Sequence, residues 1–296
     1  RSALLDRARE EDALEALDLS RAFEPGEHPF QAYIRVQRGC DKFCTYCVVP
    51  NVRGKERSRR PDHIVAEARM LAESGCREVT LLGQTVNSYM QQDDRGRVVS
   101  FAELLRRVAA VEGIVRVRFV TSYPGDFDEE ILRVMAGVPE VCPYLHLPAQ
   151  SGSDAVLRRM RRQYTVAQYD RLIERARRIV PDISLAGDFI VGFSGETDDE
   201  FAASVELLRR SRYKNCFIFK YSTRLGTAAD RNMPDDVPES VKRHRNQKLL
   251  DEQAVVCEQL NADLLGRTVS ILVEGPSKLA ADGSATVSCT QLTGRT

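Results

Sequence analysis

Ala32-Tyr-Ile-Arg-Val36, running on through Gln-Arg into Gly39-Cys40-Asp-Lys-Phe-Cys44-Thr-Tyr46-Cys47, is the stretch from which the fold is read. Its first five residues predict a short strand, and the glycine and cysteines fall where that strand gives way to a loop. The same grammar recurs along the chain. Further strands are expected at Glu78 to Leu82, Val115 to Thr121, Tyr144 to Leu147, Ile183 to Val191 and Cys216 to Tyr221, with amphipathic stretches between them. Ile64, Ala68 and Leu71, for instance, share one helical face, and Gly75 sits where that helix should stop. Six successive βα units predict an α/β protein with a parallel sheet, wound as a partial (β/α)6 TIM-like barrel, with a doubly wound sheet as the competing topology. The barrel is favoured because the unusual residues follow the strands: Gly39-Cys40, Gly83-Gln84-Thr85, Ser122-Tyr123-Pro124, Pro148 to Ser153, Gly192 to Glu196 and Ser222-Thr223-Arg224. Loops at the carboxyl ends of strands ring one mouth.

Working outward, residues 1–30 read as a charged helix and a turn-rich linker around Glu24-Pro25-Gly26-Glu27-His28-Pro29, and residues 31–230 as the barrel. A polar helical connector from Pro238 to about Leu265 fills most of residues 231–265, and residues 266–296 carry two more strands, Val269 to Val273 and Ala285 to Cys289. Two strands do not make a stable domain, so this end is expected to be cut short. With 43% hydrophobic and 29% charged residues, the composition is that of a folded globular chain. The longest nearly apolar run, Ile183 to Phe193, is broken by Asp188 and falls short of the roughly 20 residues of a membrane helix. Arg1 to Glu11 lack the apolar core of a secretory signal, so no membrane association and a cytoplasmic, reducing location are expected. A net charge of zero argues against nucleic-acid binding through bulk charge, yet Arg53 to Arg60 and Arg158 to Arg162 are local basic clusters able to meet phosphate.

Three of the eight cysteines, Cys40, Cys44 and Cys47, form C-x3-C-x2-C on the loop after the first strand. Three thiolates so close together can take three irons of a [4Fe-4S] cube and leave the fourth open to an exchangeable ligand. A structural zinc would need His63 or His28 as its fourth ligand, and no second cysteine pair exists to build a second knuckle. A disulfide with a spare thiol suits a reducing compartment less well. Cys76, Cys142, Cys216, Cys257 and Cys289 are scattered singly and read as buried thiols.

The spacing resembles that of the radical S-adenosylmethionine (SAM) superfamily. That resemblance implies that Cys40, Cys44 and Cys47 hold the cluster, that SAM chelates the open iron, and that Tyr46 packs near the adenine. SAM brings a zwitterionic amino acid, a ribose and a base, so its pocket needs close backbone approach, polar groups and an apolar slot. Gly83 and Gln84 are candidates for the amino end, with Ser122, Gln150, Ser151 and Arg161 as polar groups, Asp188 for the ribose hydroxyls and Ile190 beside the adenine. Asp188 stands out because a carboxylate in an apolar run needs a partner.

Within the superfamily, Arg53-Gly-Lys-Glu-Arg57-Ser-Arg59, Gly83-Gln-Thr-Val-Asn87, His146-Leu-Pro-Ala-Gln150-Ser-Gly152 and Asp188-Phe-Ile-Val-Gly192-Phe-Ser-Gly195-Glu-Thr resemble the methylthiotransferases, and most closely the MiaB-type tRNA enzymes. The likeness spans residues 31–296 and implies methylthiolation of C2 of N6-isopentenyladenosine at position 37 of tRNA. One SAM is split to a radical that abstracts the C2 hydrogen, and a second gives the methyl group. It further implies a second [4Fe-4S] cluster in an N-terminal domain missing here, a partial TRAM β-barrel over residues 266–296, an external electron donor and a monomer. Arg53, Arg57 and Arg59, just after the cysteines, are the candidate RNA contacts, while Arg158 to Arg162 read as a solvated face from which Arg161 is best placed to reach inward. Methylthiotransferases of threonylcarbamoyl-adenosine or ribosomal protein S12, and a non-catalytic zinc-containing RNA-binding module, are the alternatives.

Overall fold

The computed structural model describes residues 13–20, 30–276 and 292–295. Six parallel strands form its frame: β1 (Gln31–Arg35), β2 (Glu78–Leu82), β3 (Arg116–Phe119), β4 (Tyr144–His146), β5 (Ser184–Val191) and β6 (Asn215–Lys220). Each lies within one or two residues of its expected span. They stand in chain order, β1-β2-β3 in one sheet and β4-β5-β6 in the next, joined by a parallel bridge between Val117 and Val141. A doubly wound sheet would reverse its order at a switch point, and this one does not. Among the described residues β1 and β6 do not pair, so the sheet is an open arc, the partial barrel expected.

Alternation along each strand separates two faces. Ile34, Leu81, Val117, Phe119, Leu145, Leu185 and Phe189 point outward and are fully or almost fully buried in the main core. Each such side chain contributes about 1.5–3 kcal/mol through apolar burial. Their cover is a ring of helices: α2 (Pro61–Glu73), α3 (Phe101–Ala109), α4 (Glu129–Gly137), α5 (Val166–Ile179), α6 (Asp198–Ser211) and α7 (Glu239–Ala262). In α2, a proline at the first position suits a helix start, Ile64, Ala68 and Leu71 are buried, and the chain turns at Gly75 with φ +98. The inner face is polar, with Glu78 paired to Arg118 at 3.2 Å and the His146 ring edge-on to Phe217 at 6.2 Å.

The connector helix α7 joins the outer layer rather than standing apart: Leu249 and Val256 enter the core and Arg245 pairs with Glu196 at 2.8 Å. Within the segment read as a linker, α1 (Ala13–Ser20) packs Ala16 and Leu19 against Met70 of α2. The turn-rich stretch before Phe30 lies outside the described residues. At the other end Leu272–Pro276 pairs antiparallel with Leu292–Arg295, with a register shift between Val273 and Gly275. The strand expected at Val269 to Val273 therefore starts later, because cross-strand pairing rather than composition sets register. The one expected at Ala285 to Cys289 lies outside the described residues. No helix among those described is long and apolar enough to cross a membrane.

Candidate active site

The cysteine loop is pinned on three sides. Cys40 N donates to Gly54 O at 3.2 Å, and a Cβ on Gly39, whose φ is +71, would come within 2.0 Å of Lys55 O. Only glycine fits where the returning backbone crosses so closely. Thr45 N donates to Met160 O at 3.1 Å, its hydroxyl donates to Arg159 O at 2.9 Å, and Ala229 N donates to Thr45 O at 2.8 Å. All three thiols are free, Cys44 buried and Cys40 and Cys47 half-buried. Burial, then the repulsion of neighbouring thiolates, pushes Cys40 and Cys47 above the usual thiol range, partly offset by backbone N–H groups. An electrophile is needed to hold such sulfurs ionised, and iron is one.

Side chains stitch the neighbouring loops to this one. Glu56 accepts from the hydroxyls of Thr85 at 2.7 Å and Ser88 at 2.8 Å, tying the loop after β2 to the segment that follows the cysteines. Asn87 bridges to the loop after β3, donating to Tyr123 O at 3.0 Å and accepting from Tyr123 N at 2.6 Å. After β4, Gly152 lies against α6 so closely that a Cβ would meet Ala203 O at 2.2 Å. After β5, Glu196 accepts from Gly192 N at 2.6 Å and from Arg245. Sequence reading left Glu56 unassigned, although it lies inside the quoted Arg53 to Arg59 stretch.

Of the residues expected to bind cofactor, Tyr46 and Ile190 share one apolar cluster, where the Tyr46 ring meets Phe193 edge-on at 6.3 Å. Ser122 is buried with its hydroxyl unpartnered among the described residues, as a polar group awaiting a ligand would be. Gln150 is buried at φ +70, its backbone paired to Asp188 and Ile190. Gly83 and Gln84 are half-buried at the mouth, and it is Val86 and Gln37 that approach Gly83 closely. Asp188 has a partner: His146 Nε2 lies 2.9 Å from its carboxylate, while His146 Nδ1 accepts from Thr121 N at 3.1 Å. That second bond fixes the tautomer, so Nε2 carries the proton toward Asp188.

Three expectations need correcting. Ser151 turns its hydroxyl to Ser204 of α6 at 3.3 Å and is part of the packing there. Arg161 is exposed at φ +55, and this turn sends the next residue inward instead: Arg162 Nη1 donates to Cys44 Sγ at 3.2 Å. Arg53 and Arg57 are exposed, but Arg59 is buried, held by Glu15 and by Glu67 at 2.8 Å, so its guanidinium cannot reach RNA. Among the scattered cysteines Cys76 and Cys142 are buried and Cys216 and Cys257 only half-buried, while Cys289 lies outside the described residues.

Among the described residues no three His, Cys, Asp or Glu side chains close on a single ion. His63, the candidate fourth zinc ligand, faces Glu15 at 3.3 Å, and His28 lies outside the described residues. A cube, with one thiolate at each of three corner irons, suits a wider triad than a tetrahedral zinc does. Three free thiols on a pinned loop, an apolar slot beside them and an orphaned hydroxyl fit the cluster and SAM.

Comparison with known proteins agrees. A curated tRNA-2-methylthio-N(6)-dimethylallyladenosine synthase of Rhodopirellula baltica is 53% identical over 268 residues, which are 90% of this chain and 56% of that protein. One of the same name from Syntrophotalea carbinolica is 44% identical over 284 residues, 94% of this chain and 64% of that protein. The chain thus spans somewhat more than half the length of these relatives. Among solved structures, coproporphyrinogen III oxidase of Escherichia coli, a radical SAM enzyme, superposes with a TM-score of 0.54 at 19% identity over 84% of this chain and 57% of that one. Methylornithine synthase gives 0.51 at 14% identity over 84% of this chain and 77% of that one. The family model described as the radical SAM superfamily matches residues 34–208, from β1 into α6 and across the cysteine loop. On that match, and on a barrel whose first loop carries the thiol triad at its mouth, this chain belongs to the radical SAM superfamily.

Proposed function

We propose that the chain is the radical-generating part of an enzyme that adds a methylthio group to C2 of N6-isopentenyladenosine at position 37 of tRNA. The observation that carries the reading is 53% identity over 268 residues to a relative of that name. In it Cys40, Cys44 and Cys47 hold a [4Fe-4S] cluster, which with SAM and one added electron supplies the radical that takes the C2 hydrogen. Tyr46, Ile190 and Phe193 form the apolar wall for the adenine. Ser122 and Gln150 offer polar groups, and Asp188, oriented by His146, takes ribose hydroxyls on the oxygen left to it. Pinning by Glu56 and Asn87 keeps these loops in one arrangement, which matters because catalytic groups must stay within about 0.5 Å of productive geometry. Arg53 and Arg57, exposed beside the mouth, meet RNA phosphate. Residues 31–230 act as the barrel, 231–265 as its connector and 266–296 as part of a TRAM unit. A second cluster on another domain, a second SAM, an electron donor and a cytoplasmic, monomeric state complete the proposal.

Anaerobic reconstitution with iron and sulfide tests the chemistry: a broad absorbance near about 400 nm, lost in Cys44→Ala, and 5′-deoxyadenosine formed from SAM on reduction. A colourless protein with stoichiometric zinc would sink it. For the substrate, nucleosides of a deletion strain should lose the methylthio group from isopentenyladenosine, and full retention there would refute the assignment.

A further inference from the structure

Past the short helix Asp154–Arg159, the cap at Met160 and the left-handed turn at Arg161 bring the Arg162 guanidinium under the cysteine loop. Besides the contact to Cys44 Sγ, its Nε donates to Tyr164 Oη at 3.1 Å and Nη2 to Pro148 O at 3.4 Å. Its carbon lies 5.0 Å from the Tyr123 ring centre and 5.4 Å from that of Tyr164. Tyr164 is itself fixed, donating to Ala149 O at 2.9 Å. Every group that orients this cation is therefore neutral, and among the described residues no carboxylate pairs with it. A half-buried cation with no anion beside it is costly, and among the described groups that touch it the Cys44 sulfur is the one that binding a metal would ionise.

We propose that Arg162 is a positioning residue for the cluster: its fork holds the Cys44 sulfur in place as a thiolate ligand and its fixed charge raises the cluster's reduction potential. This rests on the cysteine triad holding a cluster, as argued above. The physical reason is general. Hydrogen bonds to ligating sulfurs and nearby positive charge are among the levers that set iron–sulfur potentials, and adding one electron makes the thiolate-bound cluster more negative. Arg162 favours that state, in which a low-potential one-electron reductant has delivered the electron and no proton or bond has moved.

The test uses the reconstituted protein without added SAM: wild type, Arg162→Gln and Arg162→Lys, each checked for iron content and folding by circular dichroism, then titrated with mediated dithionite or titanium(III) citrate while absorbance and electron paramagnetic resonance are followed. The midpoint of Arg162→Gln should lie below that of the wild type, with Arg162→Lys between them, because lysine restores charge but not the fork. A folded Arg162→Gln that takes up less iron than wild type also supports the positioning role. Equal iron and equal midpoints in wild type and Arg162→Gln overturn this proposal alone. Iron-free wild type overturns the cluster reading and this inference together.

Discussion

Arg59 and Arg162 flank the cysteine loop at its two anchors, and both bring a guanidinium in from solvent, yet they are satisfied in opposite ways. Around Arg59 stand Glu15, Glu67 at 2.8 Å and Asp18 at 3.5 Å, with His63 against Glu15 and the Tyr89 hydroxyl on the Arg59 carbonyl. Around Arg162 stand two tyrosine rings, a hydroxyl, a carbonyl and a thiol. A cation already matched by carboxylates has nothing left to offer a ligand and serves to knot α1 to α2. One matched only by neutral groups keeps its field for whatever occupies the site. The surroundings, not the residue type, separate a structural arginine from a functional one.

The largest expected effect tests the first half of that contrast. Arg59→Met leaves Glu15 and Glu67, 5% and 2% exposed, without their cation. Removing one partner of a buried ion pair typically costs about 3–5 kcal/mol, so urea unfolding should show a loss of that order, with the cysteine loop untouched in sequence. A loss below about 1 kcal/mol would mean that the knot is solvated and the contrast false.

Acid should find the same knot. Burial pushes the Glu15 carboxyl up, but hydrogen bonds from His63 and Arg59 and their charge outweigh it and bring it down to about 2 from a usual 4.5. A depressed carboxylate contributes stability above its unfolded value that is lost as pH falls through the folded one. The wild type should therefore lose stability between about pH 4.5 and 2, and Glu15→Gln should be less stable at neutral pH but flatter across that window. Parallel curves for the two proteins would place the acid sensitivity elsewhere.

Why the two arginines were misread from sequence is itself physical. The strands were legible because alternation over a half-buried sheet is local, and the cysteine triad because its spacing is. Arg59 sits in a run, Arg53 to Arg60, that looks like a basic surface, and its partner Glu15 comes from 44 residues earlier. Nothing local announces that pairing. Arg161 and Arg162 are adjacent in one basic run, and nothing in the sequence announces the positive φ at Arg161 after which it is Arg162 that reaches Cys44. Ser151 failed for the same kind of reason, since its partner Ser204 is 53 residues away. For Asp188 only the need for a partner was legible, because a carboxylate inside an apolar run requires one; that the partner is His146, 42 residues away, was not.

A smaller perturbation probes the knot without touching its charges. Tyr89→Phe removes the hydroxyl that donates to Arg59 O at 2.7 Å in a site 1% exposed, and an orphaned buried carbonyl costs about 1–3 kcal/mol. Thermal unfolding should show a shift in this range, below that of Arg59→Met. A larger shift than Arg59→Met would mean that the hydrogen bond, not the ion pairs, holds the segment.

The smallest effect is expected at Arg162 in the metal-free protein. Arg162→Met forfeits two cation–π contacts, worth about 0.5–2 kcal/mol each when desolvated, and hydrogen bonds to a hydroxyl, a carbonyl and a thiol. Against that, it removes a half-buried charge with no carboxylate beside it among the described residues, and exchange of buried ions for apolar side chains is often neutral or stabilising. The two should cancel to within about 1 kcal/mol in urea unfolding of the apoprotein. Loading the cluster then breaks the balance, because Cys44 becomes a thiolate whose hydrogen-bonded cation is gone, and the gap between wild type and variant should open only with iron present. An apoprotein destabilised as strongly as Arg59→Met would make Arg162 a second structural knot and erase the distinction drawn between them.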